Sequence, residues 1–477
     1  MSLEKKVINL FKEINGIPRC SGNEKQISDW LTSFGKQQGW ETIQDEVGNV
    51  ILKVPSKNGY ANKPTIILQG HMDMVCVREE GSNHDFCKDP IFTYEEDGWL
   101  KAKGTTLGAD NGIAVALALA IATENDIAHP PLELLFTVDE ERGLTGAKSL
   151  KPDVLTGKFL LNIDSDCDGV FTIGCAGGKD TLIKVPLTYD DTASNIPKFE
   201  IAISNLSGGH SGTQIKAQKP NAIQLIARIL NAIVDNENQM VEKDFRICSM
   251  KAGVAHNAIP TNASVIIATN NKELVLNTCD DFLKIFKKEF GESEPEFTFN
   301  VEESQNNQKL LNYDLSRKIV KMLIALPHGV FTMNKQFVET SNNLATINCD
   351  ETLNILLSHR SNVESKLDFL INKVKAIADL AGAEIIVSGG YPHWEPNWDS
   401  EILKKSVMSY KNVFDAEPRI EVIHAGLECG VIGAKYPGME MISFGPTIKA
   451  PHTPKERLKI DDIKRILDFL VELFKNI

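Results

Sequence analysis

The segment NGIAVALALAIATEN, residues 111–125, constrains this chain more than any other stretch. As a helix it is apolar on nearly every side, so it has no face to offer water and must be buried among other elements. Around it in sequence lie short apolar runs: VILKV at 50–54, TIILQ at 65–69, LELLFTV at 132–138 and KFLLNI at 158–163. Such runs, apolar on both faces and separated by helices, predict strands of a parallel or mixed sheet covered on both sides. The expected fold class is α/β. A length of 477 residues exceeds one ordinary core and points to two or three domains.

From about Lys198 to Val387 the texture changes. KFEIAISNL and ASVIIAT alternate as strands with one buried face, and they flank the helix NAIQLIARILNAIVDN. A second set follows in similar order: the helix YDLSRKIVKMLIAL, the strands LATINCD and TLNILLSHR, the helix SKLDFLINKVKAIADLAG and the strand AEIIVSG. The repeated order suggests an internally duplicated α+β sandwich of ferredoxin-like type. GCAGGKD at 174–180 and SGGYPHWEPN at 388–397 bracket this region as hinge or linker segments. The tail returns to the first texture with RIEVI, MEMISFG and a closing amphipathic helix. The expected organisation is one sheet domain split in sequence, 1–180 and 391–477, with an inserted domain at 181–390.

The formal charge of −13 argues against nucleic acid or an anionic membrane surface as a partner. No apolar run approaches the roughly 18–20 residues that span a bilayer. The opening MSLEKKVINLFKEING reads as an amphipathic helix, not a signal peptide. Nine cysteines, at 20, 76, 87, 167, 175, 248, 279, 349 and 429, form no Cys-x-x-Cys pair. Their odd number and apolar contexts read as reduced, mostly buried thiols of a cytosolic protein.

The strand ends carry the chemistry. His71 follows TIILQG, Glu140 and Glu141 follow LELLFTVD, Asp164 follows KFLLNI, and His452 comes shortly after MISFGP. Ligands of open α/β sheets bind outside the carboxyl ends of the strands, so these residues are expected at one crevice. Asp110, in TLGADNGIA, precedes the buried helix, where the helix dipole favours an anion. Two histidines and three carboxylates suit zinc. Two ions would need a shared ligand, and Asp110, with two oxygens, is the natural bridge. Asp73 would then hold the His71 imidazole in one tautomer. Glu140 would serve as general base on water activated by the metals. Each residue also has an ordinary reading as a loop, turn or cap; the shared placement favours the metal reading.

The motifs QGHMDMV, GADNG, DEERG, NIDSD, GGHSG, HAGLECG and APHTP, in this order, resemble the M20 metallopeptidases, and within them the aminoacyl-histidine (Xaa-His) dipeptidase branch. The resemblance spans essentially the whole chain, and no metal or catalytic position departs from it. It implies a sheet-centred zinc-peptidase domain with metal ligands His71, Asp110, Glu141, Asp164 and His452, and an inserted lid. On the lid it implies that His210 stabilises the tetrahedral intermediate and that Asn257 and Arg360 hold the substrate, Arg360 on its terminal carboxylate. HAGLECG would supply backbone at Gly426 near that carboxylate, with His424 and Glu428 as further contacts.

The activity so implied is a cytoplasmic, dinuclear zinc dipeptidase for small Xaa-His dipeptides, including beta-alanyl-histidine, with Glu140 as base. Cobalt or manganese would substitute, and monomer and homodimer both fit. Alternatives are a sister M20 activity (tripeptidase, general dipeptidase or N-acyl amino acid deacylase) or a metal-binding homologue without catalysis.

Overall fold

The apolar helix runs Ala109–Thr123, and every residue from Asn111 to Ala122 is buried. It packs against the strands Ile66–His71 and Leu132–Thr137 and against the helices Leu3–Ile14 and Ile460–Asn476. Leu3–Ile14 turns Val7, Ile8, Leu10, Phe11 and Ile14 inward, the three-and-four spacing of one buried helix face. Each such Leu, Ile or Phe contributes about 1.5–3 kcal/mol of burial.

The computed structural model describes residues 2–190, 196–239, 243–305, 308–334 and 336–477. They divide into two units. One comprises Met1–Cys175, Trp394–Val422 and Leu427–Ile477; the other comprises Ala176–His393 and Ile423–Gly426.

The first unit is built on an eight-stranded mixed sheet in the order Glu41–Gln44, Val50–Val54, Leu132–Thr137, Ile66–His71, Phe159–Asn162, Glu440–Ser443, Val170–Cys175 and Arg419–Ile423. Ile66–His71 pairs in parallel with both Leu132–Thr137 and Phe159–Asn162, with Gln69 level with Leu135 and Asn162. Three adjacent strands therefore end at one edge. A smaller sheet, which the periodicity did not reveal, pairs Trp99–Ala102 with Arg457–Lys459 and the latter with Ile448–Lys449.

The second unit holds a continuous antiparallel sheet in two halves of βαββαβ order. One half runs Lys198–Ser204, Ala222–Glu237, Arg246–Ala252, Ala263–Ala268, Lys272–Phe290 and Thr298–Ser304, its strands in spatial order 4-1-3-2. The other runs Gly177–Pro186, Tyr313–Ala325, Val338–Cys349, Thr352–Ser361, Glu364–Ala381 and Glu384–Val387, in the mirrored order 2-3-1-4. Lys251 and Ala252 pair with Asn348 and Ile347 to join the halves, and one apolar core underlies both.

Two expectations are corrected. GCAGGKD brackets the insert as expected but is not a loose segment: Val170–Cys175 and Gly177–Pro186 are strands with only Ala176 between them. Its glycines serve close approach, since a Cβ on Gly178 would lie 2.8 Å from the Tyr391 ring. The units accordingly change at 175/176 and 393/394, and residues 423–426 join the insert. The cysteines are also not all reduced. Cys20 and Cys76 form a disulfide across 56 positions, brought together where Cys20 bridges Met74 in parallel. Cys175, Cys248, Cys279 and Cys429 are free and buried, and Cys87 is exposed. Among the described residues no helix is long and apolar enough to cross a membrane.

Candidate metal centre

His71 closes its strand with the side chain 1% exposed. Its Nε2 lies 3.1 Å from Asp110 Oδ1 and 3.5 Å from Asp164 Oδ1, and its Nδ1 lies 3.2 Å from Asp73 Oδ1. His452 Nε2 lies 3.1 Å from Asp110 Oδ2 and 3.0 Å from Glu141 Oε1. Asp110 thus divides its oxygens between two imidazoles, and each Nε2 has one further carboxylate, Asp164 or Glu141. Glu141 Oε1 is buried and lies against His452 Nε2, where a metal shared with that imidazole would also bind it. Nitrogen and oxygen donors in this number fit divalent transition metals such as zinc.

The charges tell the same story. Burial alone would depress the His71 pKa, but Asp164, Asp110 and Asp73 outweigh it and hold the ring well above the histidine range. Hydrogen bonding to Asp110 and Glu141 pushes His452 up to about 10. Burial opposes ionisation of Asp110, yet His452 and His71 bring its pKa well below normal. Burial raises Asp164 to about 6 despite His71. Glu140 is pushed well above the carboxylate range by burial and by Asp164, Glu141 and Glu428. Such an excess of acids calls for a cation.

Local structure explains the motif spacing. Asp73 faces His71 and also accepts from the backbone N–H groups of Glu140 (3.1 Å) and Glu141 (3.3 Å) and from Ser21 Oγ (2.7 Å). One carboxylate therefore orients an imidazole and anchors the short helix Glu140–Gly143. In GADNG the Asp110–Asn111 peptide bond is cis, and both glycines make room for Arg19. A Cβ on Gly112 would lie 2.7 Å from Arg19 Nη2, and one on Gly108 would collide with it outright. Arg19, 2% exposed, donates to the carbonyls of Gly108 (2.7 Å), Met72 and Asp73 (3.3 Å each). Nothing in the local sequence pattern marks Arg19.

Glu428 lies in the interior of the sheet domain. It is fully buried in the first unit, accepts from Gln69 Nε2 (2.6 Å) and Thr137 Oγ1 (2.7 Å), and is pushed up to about 7 by burial. HAGLECG is split between the units: Gly426 belongs to the insert and Glu428 to the sheet domain.

The insert has its own polar cluster. Arg360 is 6% exposed and Nη1 donates to Tyr391 Oη at 2.6 Å. Its buried Nε has no partner, and among the described residues no carboxylate lies within 4.0 Å of the guanidinium. His210 and Arg360 meet around Gly212, where a Cβ would lie 3.0 Å and 3.2 Å from them. His210 Nδ1 accepts from the N–H groups of Gly212 (3.2 Å) and Thr213 (3.1 Å). Burial and Arg360 lower its pKa to about 4, so the neutral ring carries its proton on Nε2. His424 is likewise neutral, brought down to about 3 by burial and Arg360, and its Nε2 meets Ser341 Oγ at 2.7 Å. Asn257 is exposed and lines, with His210, a cavity of about 600 Å³ within this unit. Gly426 abuts Tyr391, which would lie 2.6 Å from a Cβ there. Tyr391, hidden in a glycine-rich stretch, gave no sign in the sequence.

Imidazole and carboxylate donors gathered at the carboxyl edge of a mixed α/β sheet, with no nucleophile elbow among them, mark the chain as a metal-dependent hydrolase. The chain belongs to peptidase family M20/M25/M40, whose model matches residues 67–476. It is 34% identical to the cytosol non-specific dipeptidase of Escherichia coli K12 over 98% of this chain and 97% of that one. The crystal structure of aminoacylhistidine dipeptidase from Vibrio alginolyticus superposes with a TM-score of 0.89 at 36% identity, covering 99% of this chain and 96% of the other. Aminopeptidase PepT from Bacillus cereus shares the fold, with a TM-score of 0.57 at 16% identity over 99% and 98% of the chains.

Proposed function

We propose that this chain is a cytoplasmic dinuclear zinc dipeptidase acting on Xaa-His dipeptides, beta-alanyl-histidine among them. Asp110 carries the reading, because its two oxygens face the Nε2 atoms of two imidazoles, and each Nε2 has one further carboxylate. His71 and Asp164 would hold one ion and His452 and Glu141 the other, with Asp110 shared. Bound there, the ions supply Lewis acidity toward a carbonyl and acidify water. Glu140, whose surroundings raise its proton affinity, takes a proton from the attacking water and returns it to the leaving amine, worth about 10²–10⁴-fold. Asp73 keeps His71 in one tautomer. His210 donates from Nε2 to the developing oxyanion. Arg360, lacking a carboxylate of its own, takes that of the substrate, and Asn257 and the Gly426 backbone help hold the peptide.

The name of the Vibrio relative supports a preference for carboxy-terminal histidine, and that of the E. coli relative supports the cytoplasm. The word "non-specific" in the latter favours a second reading, a dipeptidase of broader range. Zinc-, cobalt- and manganese-loaded protein should be assayed on Xaa-His and Xaa-Yaa dipeptides, a tripeptide and an N-acyl amino acid. Preference for Xaa-His supports the first reading, and even cleavage of dipeptides the second. Preference for the tripeptide or acyl compound, or activity that survives chelation, overturns both.

A further inference from the structure

We propose that Glu456 is the positioning residue that sets Asp110 against His452. The inference rests on the metal reading above and concerns how the chain holds its own donors in place.

Glu456 is 3% exposed. Its Oε2 accepts from the backbone N–H groups of Leu107 (2.8 Å) and Gly108 (3.0 Å), and its Oε1 from those of Ala109 (2.8 Å) and Asp110 (3.2 Å). One carboxylate thus satisfies four consecutive amides, the last belonging to Asp110 itself. Among the described residues no cationic side chain lies within ion-pair distance of it, so the converging amide dipoles compensate its charge. From the other side Arg19 takes the Gly108 carbonyl. The loop is held through its donors by an anion and through an acceptor by a cation.

The position of Glu456 in the chain gives this grip its significance. It stands four residues after His452, at the foot of the hairpin joining Ile448–Lys449 to Arg457–Lys459. That hairpin holds Ala450 at φ 53° and His452 at φ 61°, left-handed conformations that non-glycine residues keep only when their surroundings over-determine them. One side chain therefore ties the hairpin bearing His452 to the loop bearing Asp110, two donors 342 positions apart that must meet within 3.1 Å. Lys455 and Arg457, its chain neighbours, are exposed, so the inward carboxylate is specific to Glu456.

The test is titration of metal-free protein with cobalt(II), followed by its visible d–d absorption and by calorimetry. Wild type, Glu456→Gln and Glu456→Asp are compared, with melting of the metal-free forms as the fold control. Glutamine keeps one acceptor oxygen and turns two N–H donors toward the amides. Cobalt affinity in Glu456→Gln should fall about 10- to 100-fold, as for loss of a group that orients a ligand, with an altered absorption band. Glu456→Asp, which keeps the charge on a shorter stem, should recover part of both. Wild-type affinity and spectrum in folded Glu456→Gln, whatever its melting temperature, would overturn the inference. Should Glu456→Gln fail to fold, Glu456→Asp decides alone. If wild type takes up one ion, the two-metal reading fails, and Glu456 is judged on that ion's affinity. If wild type takes up none, both fall.

Discussion

Arg360→Met separates a residue kept for substrate from one kept for the fold. In the free protein the guanidinium is 6% exposed, with one neutral partner, Tyr391, and an unpartnered Nε. Burying an uncompensated charge costs several kcal/mol after relaxation, whereas the bond to Tyr391 returns about 1.5–3 kcal/mol. Methionine fills the stem's volume without the charge, so the variant should melt at or above the wild-type temperature. Catalysis should suffer. A buried, charge-assisted pair with a terminal carboxylate is worth about 2–5 kcal/mol, or roughly 30- to 5,000-fold in kcat/KM. The assay follows release of the carboxy-terminal amino acid from one dipeptide and of the amino acid amide from its carboxy-amide, in both proteins. A large loss on the free acid and almost none on the amide is expected. An equal loss on both, or a melting temperature lowered by several degrees, would mean that Arg360 supports the insert and does not read the substrate.

Three further outcomes follow from the metal centre. Asp110→Ala should disturb both ions, so elemental analysis of zinc-supplied protein should drop from about two per chain; full occupancy would remove Asp110 as the shared ligand. Glu140→Gln should keep its metal and lose two or more orders of magnitude in turnover, while Glu141→Gln loses metal as well; the opposite pattern would reverse the two roles. Metal loading should release protons, because Asp110 and Glu141 hold His452 protonated up to about pH 10 in the metal-free protein. Affinity should therefore rise with pH through the neutral range, and calorimetry in buffers of different ionisation enthalpy would reveal no released proton if this is wrong.

Four of the five candidate ligands were legible because each stands at the end or start of a periodic element, and parallel pairing brings three of those strand ends to one edge; His452, in a hairpin of the smaller sheet, was legible through its motif. His71, Glu141 and Asp164 follow strands, and Asp110 precedes a helix whose apolar surface declares it buried. Arg19 and Glu456 were not legible. Apart from Asn15, which Arg19 also meets, their partners are backbone groups far away in sequence, and a backbone group has no letter of its own. The Cys20–Cys76 pair was hidden for a related reason, since only the parallel contact of two distant segments brings the thiols together. Gly177–Pro186 was misread because glycine usually breaks a strand; here it lets Tyr391 lie against the sheet. The hold of Gln69 and Thr137 on Glu428 was not legible either, because HAGLECG reads as one motif although the chain divides within it.

The crossing at 175/176 and 393/394 bears on how such a chain can change. Cys175 and Trp394 exchange two backbone hydrogen bonds of 3.0 Å each, so the outgoing and returning strands are sealed together before the excursion begins. To the sheet domain, everything from Ala176 to His393 is a single oversized hairpin loop. Closing a loop costs only about 0.6 kcal/mol more for each doubling of its length. The excursion can therefore be lengthened at little cost in closure entropy, provided that its two ends still meet as an antiparallel pair. The antiparallel sheet now mounted there is one occupant of a socket closed at Cys175 and Trp394.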